Sequence, residues 1–263
     1  WYKKSAEQGD LTGEHGAGFA LYWGHGVEQN QSAGINWFMK SAEQGFLLSQ
    51  SQLGYAYFWG DGVAKDASAA FKWNTIAAEQ GDVLSQERLG DIFYWGEGVQ
   101  KDTSQSYKWY LMAAAQGHHS SEHKVGQAYS FGHGVTADDS TAVYWYTKAA
   151  QGGYDEAQFN LGIAYGQGLG VKINSKSGFD WLKKAAEQGY LNAQYLVGLA
   201  YMAGDGVLPD PKESIAWLTK AANNGHAEAK NSLGLAYEAG DGVSQDKGKA
   251  LGLFSEAAKK GNP

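Results

Sequence analysis

The sequence repeats itself every 36 residues, and this period constrains the fold more than any local motif. A Gly-x-Gly-Val segment begins at each of Gly24, Gly60, Gly96, Gly132, Gly168, Gly204 and Gly240. A second glycine, which closes an Ala pair in most copies, recurs at the same interval and is taken as position 0 of each repeat: Gly9, Gly45, Gly81, Gly117, Gly153, Gly189, Gly225 and Gly261. A fixed period of this length without insertions predicts a solenoid of stacked repeats.

Each repeat is predicted to contain two helices joined by the glycine turn. In the first, helix A, position 4 is small, position 8 is mostly Leu or Val, position 11 is mostly Ala and position 12 is mostly Tyr. These positions form one face of a helix, which ends at the glycine of position 15. Position 21 is always Asp or Asn, the residues that cap a helix N-terminus, so helix B begins there. Pro211 follows Asp210 at the first helical position, where proline is tolerated. The glycine at position 9 lies inside helix A and predicts a close approach of a neighbouring helix.

The segment "AQYLVGLAYMAGDGVLPDPKESIAWLTKAANNGHAEA", residues 193–229, resembles the Sel1-like repeat, a relative of the tetratricopeptide repeat. The resemblance implies an all-α fold: a solenoid of seven helix-turn-helix repeats that forms a right-handed superhelix, with helix A on the concave side. We expect one domain over residues 1–263. It would have a partial repeat at 1–9 and full repeats at 10–45, 46–81, 82–117, 118–153, 154–189, 190–225 and 226–261.

Composition excludes several classes of function. The net charge is −7, and Arg88 is the only arginine among 21 basic residues, which are scattered, so a nucleic-acid partner is not expected. No apolar run approaches the 18 or so residues of a membrane span. There is no cysteine, which excludes disulfides and departs from the disulfide-bearing branch of the family. The chain opens at Trp1 without Met, and we expect an upstream segment to have been removed.

Local motifs that suggest chemistry have simpler explanations. The glycine turns lack the Gly-Lys-Ser/Thr ending of a phosphate loop and follow no predicted strand. The segment "HSSEH" fits the H-x-x-E-H pattern of inverted zinc proteases, with His119, Glu122 and His123. No third ligand is marked, and His123 lies at position 6, on the predicted outward face of helix A. We therefore expect no metal, no cofactor and no catalytic residue.

Aromatic residues that the repeat does not require mark the candidate site. At 100° per residue, position 13 of helix A falls almost opposite the core and position 14 on its flank. In the first three repeats aromatic side chains occupy both positions, and Phe131 continues the series at position 14 of the fourth, whereas the last three repeats have no aromatic residue at either position. Tryptophan, tyrosine and arginine are enriched at binding hot spots. The predicted partner-binding residues, which include positions 6, 7 and 10 of the same faces, are Tyr22, Trp23, Tyr55, Phe58, Trp59, Arg88, Asp91, Tyr94, Trp95, His123 and Phe131.

The alternative for these rings is packing between adjacent helices as extra core, and a sugar or lipid head group stacked on them is a third interpretation. The favoured hypothesis is a monomeric, non-enzymatic scaffold that holds a protein or peptide partner on the concave, aromatic N-terminal half. By family analogy, a narrower hypothesis is a bacterial periplasmic immunity protein that neutralises a secreted phospholipase effector of the type VI kind. A third is a hydrolase or β-lactam-binding protein. We expect export from a bacterial cytoplasm, with a cytoplasmic location as the alternative.

Overall fold

The computed structural model describes residues 2–259, and all its regular structure is helical. Its contacts divide the chain into two compact units, residues 1–136 and 137–263. No helix among the described residues has the length and apolarity needed to cross a membrane. The all-α fold of repeated helix pairs is confirmed, with eight B helices and seven A helices alternating over residues 2–259. The expectation of one domain stays a prediction.

Unit 1 contains the first eight helices. They are α1 (Tyr2–Ala6), α2 (Leu11–Trp23), α3 (Gln31–Glu43), α4 (Leu47–Trp59), α5 (Ala67–Glu79), α6 (Val83–Trp95), α7 (Thr103–Ala115) and α8 (His119–Phe131). Even-numbered helices are A helices and odd-numbered ones are B helices. The core between them includes Tyr22, Phe38 and Leu53, all fully buried.

Unit 2 contains the other seven helices. They are α9 (Asp139–Gln151), α10 (Asp155–Gln167), α11 (Ser175–Glu187), α12 (Leu191–Ala203), α13 (Pro211–Asn223), α14 (Ala227–Ala239) and α15 (Lys247–Ala258). Its core includes Leu161, Val197 and Leu218, which are fully buried. Within each unit, a helix packs mainly against the helices next to it in sequence.

The helix ends follow the sequence signals. Every B helix from α3 to α15 has the predicted Asp or Asn cap; for example, the Ala69 amide donates to Asp66 Oδ1 at 3.0 Å. A helices end at a left-handed glycine such as Gly60, with φ of 74°, a conformation that other residues rarely adopt. These capping residues recur once in every repeat, so the helices begin and end at equivalent positions along the chain.

The glycine at position 9 of helix A allows the predicted close approach. A Cβ atom at Gly198 would lie 2.8 Å from Leu218 Cγ, and one at Gly90 would overlap the ring of Tyr110. Position 29 of the repeat lies in helix B. Leu218 occupies it in the repeat of Gly198, and Tyr110 occupies it in the repeat of Gly90. The cost of a glycine inside a helix is thus offset by tight packing between the paired helices.

The tryptophans of helix B, which recur at the 36-residue period, are not uniformly buried. Trp73 and Trp217 are buried, but four are only half-buried: Trp37, Trp109, Trp145 and Trp181. A lysine three residues later covers the outer face of most of these rings; Lys184 Nζ lies 3.8 Å from the Trp181 ring centroid. Trp1 lies outside the described residues.

Candidate functional site

The surplus aromatic residues at position 14 are exposed at the C-terminal ends of the A helices of unit 1. The exposed fractions are 44% for Trp23, 64% for Trp59, 68% for Trp95 and 66% for Phe131. These rings therefore do not form extra core between helices. Exposed aromatic side chains that recur along one edge are typical of an interaction surface.

Position 13 does not face away from the core, and this part of the sequence prediction is wrong. Tyr22 is 0% exposed and Phe58 is 6% exposed, while Tyr94 is half-buried. The glycine turn of the following repeat covers this position. The Tyr22 hydroxyl donates to Asp61 Oδ2 at 2.6 Å, and the Tyr94 hydroxyl lies 3.3 Å from His133 Nδ1. A helical wheel assumes one buried face, whereas a helix in a solenoid is also covered by the next repeat.

The buried ring at position 13 supports the exposed ring at position 14. The centroids of Phe58 and Trp59 are 4.9 Å apart at 87°, and those of Tyr94 and Trp95 are 4.8 Å apart at 84°. Edge-to-face pairs of this kind are favourable and restrict the orientation of both rings. The exposed tryptophans are therefore held in place before any partner binds.

A cavity of about 670 Å³ opens between the A helices α4, α6 and α8 and the B helix α7. Trp59, Trp95 and Phe131 lie around it. Tyr107 and Tyr110 of α7 also line it, and both are more buried than the three outer rings. Its volume is typical of a site for a small ligand or a short peptide segment.

Charged side chains form a connected network in this cavity. The Asp91 carboxylate accepts hydrogen bonds on one oxygen, Oδ1, from Tyr110 at 2.6 Å and from Lys124 Nζ at 2.7 Å. Lys124 also lies 3.1 Å from Glu87. A second pair, Lys65 Nζ and Glu97 Oε2 at 3.2 Å, lies beside the ring of Phe58. The lysines are thus neutralised by carboxylates.

This network changes the pKa values of its members. Burial alone would lower the pKa of Lys124, but Asp91 and Glu87 outweigh it, and the pKa is raised. Burial alone would raise the pKa of Glu87, but Lys124 and the Ser120 hydroxyl outweigh it, and the pKa is lowered. Burial and the neighbouring Asp91 raise the pKa of Tyr110. The lysine and the glutamate therefore stay charged, and the tyrosine stays neutral, around neutral pH.

Six of the predicted residues line the cavity: Phe58, Trp59, Asp91, Tyr94, Trp95 and Phe131. Tyr22 and Trp23 belong to the preceding repeat and do not line it. Arg88 does not line the cavity. Its side chain donates to Asn74 Oδ1 at 2.8 Å and to the Ser51 carbonyl at 3.2 Å. Its guanidinium lies over the ring of Tyr55 at 5.6 Å. The predicted set is thus divided between the cavity and two neighbouring places.

His123 was expected on the outward face of helix A, and this is also wrong. The side chain is 2% exposed. Burial, with the adjacent Lys124 charge, lowers its pKa to about 4. His119 Nδ1 lies 2.9 Å from Glu122 Oε2, an arrangement within one helical turn. Among residues 2–259, no three histidine or acidic side chains are grouped so that they could hold a metal ion.

The sequence did not indicate the inner wall of the cavity. Lys124 occupies position 7, the same position as Arg88, which was selected because it is the only arginine. Tyr107 and Tyr110 belong to helix B, whereas the aromatic residues that the repeat does not require lie in helix A. Both hydroxyl groups have hydrogen-bond partners: the Tyr107 and Tyr129 oxygens are 2.9 Å apart, and Tyr110 donates to Asp91. Comparison of helix B between repeats could have found them, since positions 26 and 29 vary.

Unit 2 has a cleft at the equivalent positions of its own repeats. Its volume is about 300 Å³. Where unit 1 has Asp91, Trp95, Lys124 and Phe131, the aligned residues that line this cleft are Ile163, Gln167, Leu196 and Ala203. The fold therefore provides the cleft, and the side chains that line it decide its chemistry.

Comparison with known proteins places these repeats in a family. The model of the Sel1 repeat matches residues 1–10, 13–46, 47–82, 83–118, 119–154, 155–190, 191–226 and 227–262. A search of the curated proteins found no match.

Two solved structures are similar over almost the whole chain. A protective antigen present in uropathogenic Escherichia coli strains, which displays an SLR fold, is 32% identical with a TM-score of 0.92. The alignment covers 99% of this chain and 56% of that one, so the chain spans about half the length of that relative. A Sel1 repeat protein from Oxalobacter formigenes is 29% identical with a TM-score of 0.80, and 93% and 96% of the two chains are covered.

An immunity protein from Pseudomonas aeruginosa is 15% identical with a TM-score of 0.48 over 81% of each chain, which is too distant to support a function.

Proposed function

The chain belongs to the Sel1 repeat family, and on that premise we propose that it is a non-enzymatic scaffold that binds a protein or peptide partner in the aromatic cavity of unit 1. Sel1 repeat proteins generally mediate protein–protein interactions, and their fold is typically non-catalytic. The observation that carries the proposal is the group of three exposed rings, Trp59, Trp95 and Phe131, around one cavity.

The arrangement of these rings has the properties of a binding hot spot. Tryptophan is among the residues that contribute most when they are truncated in interfaces, where a single loss can cost about 2 kcal/mol or more. Trp59 and Trp95 each rest edge-to-face on an inner ring, so they lose little conformational freedom when a partner binds. Polar groups lie deeper in the cavity and can fix the orientation of a bound segment.

A photocrosslinking experiment with a matched control tests this proposal. A benzophenone amino acid replaces Gln127, which lines the unit 1 cavity, or Leu199, which occupies the same position in the unit 2 cleft. We expect a discrete crosslinked product in extracts of the native host from position 127 and not from position 199. The double variant Trp59→Ala with Trp95→Ala should abolish this product, because it removes two of the three exposed rings.

The outcomes separate the alternatives. Equal crosslinking in the double variant, or products from position 199 alone, would contradict the proposal. Mass spectrometry of the product identifies the partner, so a secreted toxin bound at position 127 would point to the immunity role. Hydrolysis of a β-lactam that is lost in His119→Ala would instead support the enzymatic alternative.

A further inference from the structure

Lysine side chains of unit 1 lie over the more buried rings of the cavity, Phe58, Tyr94 and Tyr110, but not over its exposed rings. Lys65, Lys101 and Lys124 lie 5.6, 5.2 and 5.0 Å from the ring centroids of Phe58, Tyr94 and Tyr110, respectively. Among residues 2–259, no cation of the chain lies over Trp59, Trp95 or Phe131. All three rings are mostly exposed, although the His133 ring lies tilted beside that of Phe131 with centroids 5.7 Å apart. A cation is a favourable occupant of an exposed aromatic face.

A carboxylate oxygen is available beside these rings. Both hydrogen bonds of Asp91 fall on Oδ1, which leaves Oδ2 for a further donor. The Asp91 side chain lines the cavity and keeps 25% of its surface exposed. Hydrogen bonds between a charged donor and a carboxylate are about twice as strong as neutral ones. An apolar occupant would cover this oxygen without giving it a donor.

The charge around the cavity favours a cation over an anion. The two lysines that line the cavity, Lys65 and Lys124, are paired with two carboxylates that also line it, Glu97 and Asp91, so no excess positive charge there opposes a cation. Residues 1–136 contain nine basic and 14 acidic residues, a net charge of −5, while residues 137–263 contain 12 and 14, a net charge of −2. Unit 1 therefore carries most of the negative charge of the chain and attracts cationic segments.

We infer that the unit 1 cavity recognises an arginine side chain of an extended partner segment, with the guanidinium stacked on the exposed faces of Trp59, Trp95 or Phe131 and donating to Asp91 Oδ2. A planar guanidinium can stack on an aromatic ring and donate at its edge at the same time, which an ammonium cannot do as well. The cavity of about 670 Å³ also has room for the residues next to the arginine. This inference rests on the proposed function, because it assumes that the cavity binds a peptide segment.

The test uses the whole chain and short peptides of the form acetyl-Gly-Ser-X-Ser-Gly-amide. X is arginine, citrulline, leucine or glutamate, and citrulline keeps the shape of arginine without its charge. Binding is followed by the indole N–H signals of Trp59 and Trp95 in nitrogen-labelled protein, with the buried Trp217 as internal control. We expect the arginine peptide to shift the Trp59 and Trp95 signals and to bind at least tenfold more tightly than the citrulline peptide.

Two variants and one control locate the contact. Asp91→Asn should weaken the arginine peptide at least fivefold, and Trp95→Ala, at an exposed position that the fold does not need, should weaken it to a similar extent. Asp205→Asn, which changes a carboxylate at the unit 2 cleft, should have no effect.

Equal affinity for arginine and citrulline, tighter binding of the leucine peptide, or no shift with any peptide would overturn the inference. If crosslinking at position 127 still depends on Trp59 and Trp95 in that case, the scaffold function stands without the preference for arginine. If position 127 gives no crosslinked product in the chain with both tryptophans intact, or a product that does not depend on them, the scaffold function itself would be overturned.

Discussion

At the scale of single residues, the Phe58–Trp59 pair shows how one aromatic dipeptide serves two purposes. Phe58 is buried in a core cluster of unit 1 with Leu89 and Ile92, and Trp59 is exposed at the cavity. The sequence identified both as surplus, because the repeat requires neither. It placed Phe58 opposite the core, which is wrong, because burial at position 13 depends on how the next repeat packs against this helix.

Truncation of these two residues should separate stability from binding. We expect Phe58→Ala to cost about 3–5 kcal/mol of unfolding free energy, because it leaves a cavity in the core of unit 1. Trp59→Ala should cost less than about 1 kcal/mol, because most of that side chain is already in water. Urea denaturation of both variants, followed by circular dichroism, measures the difference. Similar losses for the two variants would show that Trp59 belongs to the core.

His123 is a second residue whose burial predicts a measurable property. Its pKa is about 4 in the folded chain, compared with about 6.5 for an unperturbed histidine, because burial and Lys124 disfavour the charged form. A lowered pKa means that the unfolded chain takes up the proton first as the pH falls. The resulting stability is fully present above about pH 6.5 and is lost between pH 6.5 and 4, by about 3 kcal/mol.

The variant His123→Gln isolates this contribution. Between pH 6.5 and 4, we expect its unfolding free energy to fall by about 3 kcal/mol less than that of the wild-type chain, measured by urea denaturation at several pH values. Parallel curves for the two proteins would show that His123 does not cause the loss.

At the scale of helices, the repeat predicts the ends of the elements better than the contacts between them. Asp and Asn caps and the left-handed glycines are local signals, and the structure confirms them. A series of amide contacts between helix A and the C-terminal end of helix B of the same repeat was missed: Gln80 donates to Gln50 and Gln116 to Gln86, at 2.6 and 2.9 Å. The signal was present, as both positions are occupied by Gln in most repeats. Periodicity alone, however, does not show that two polar positions 30 residues apart face each other.

The glycine inside helix A provides an element-scale prediction with a matched control. Alanine is favoured over glycine in a helix by about 1 kcal/mol. At Gly90 the new methyl group would overlap Tyr110, so we expect Gly90→Ala to destabilise the chain by about 1–3 kcal/mol in spite of this gain. Gly166 of α10 has nothing within 4 Å of a Cβ atom, and Gly166→Ala should stabilise the chain by up to about 1 kcal/mol. Thermal unfolding of both variants decides, and a stabilising Gly90→Ala would contradict the packing argument.

At the scale of the whole molecule, two units made of the same repeat present equivalent clefts with different linings. The repeat explains why both clefts exist, and sequence comparison between repeats explains why only one is aromatic. The cavity itself could not be read from the sequence, because its walls come from α4, α6, α7 and α8, more than two repeats of chain. Each repeat contacts mainly its neighbours, and the stability of such arrays is approximately a sum of nearest-neighbour terms. A destabilising substitution should therefore affect the repeats around it more than distant ones.

Hydrogen exchange measures this locality along the whole chain. We expect Gly90→Ala to lower the protection of α6, α7 and the helices beside them in unit 1, while α12 to α14 keep the wild-type protection. Gly198→Ala, which would press on Leu218, should give the reverse pattern and serves as the matched control. A uniform loss of protection in both variants would mean that residues 1–263 unfold as one cooperative domain. Loss confined to the mutated unit would mean that each cleft sits in a unit with its own stability, so substitutions in one can be studied without unfolding the other.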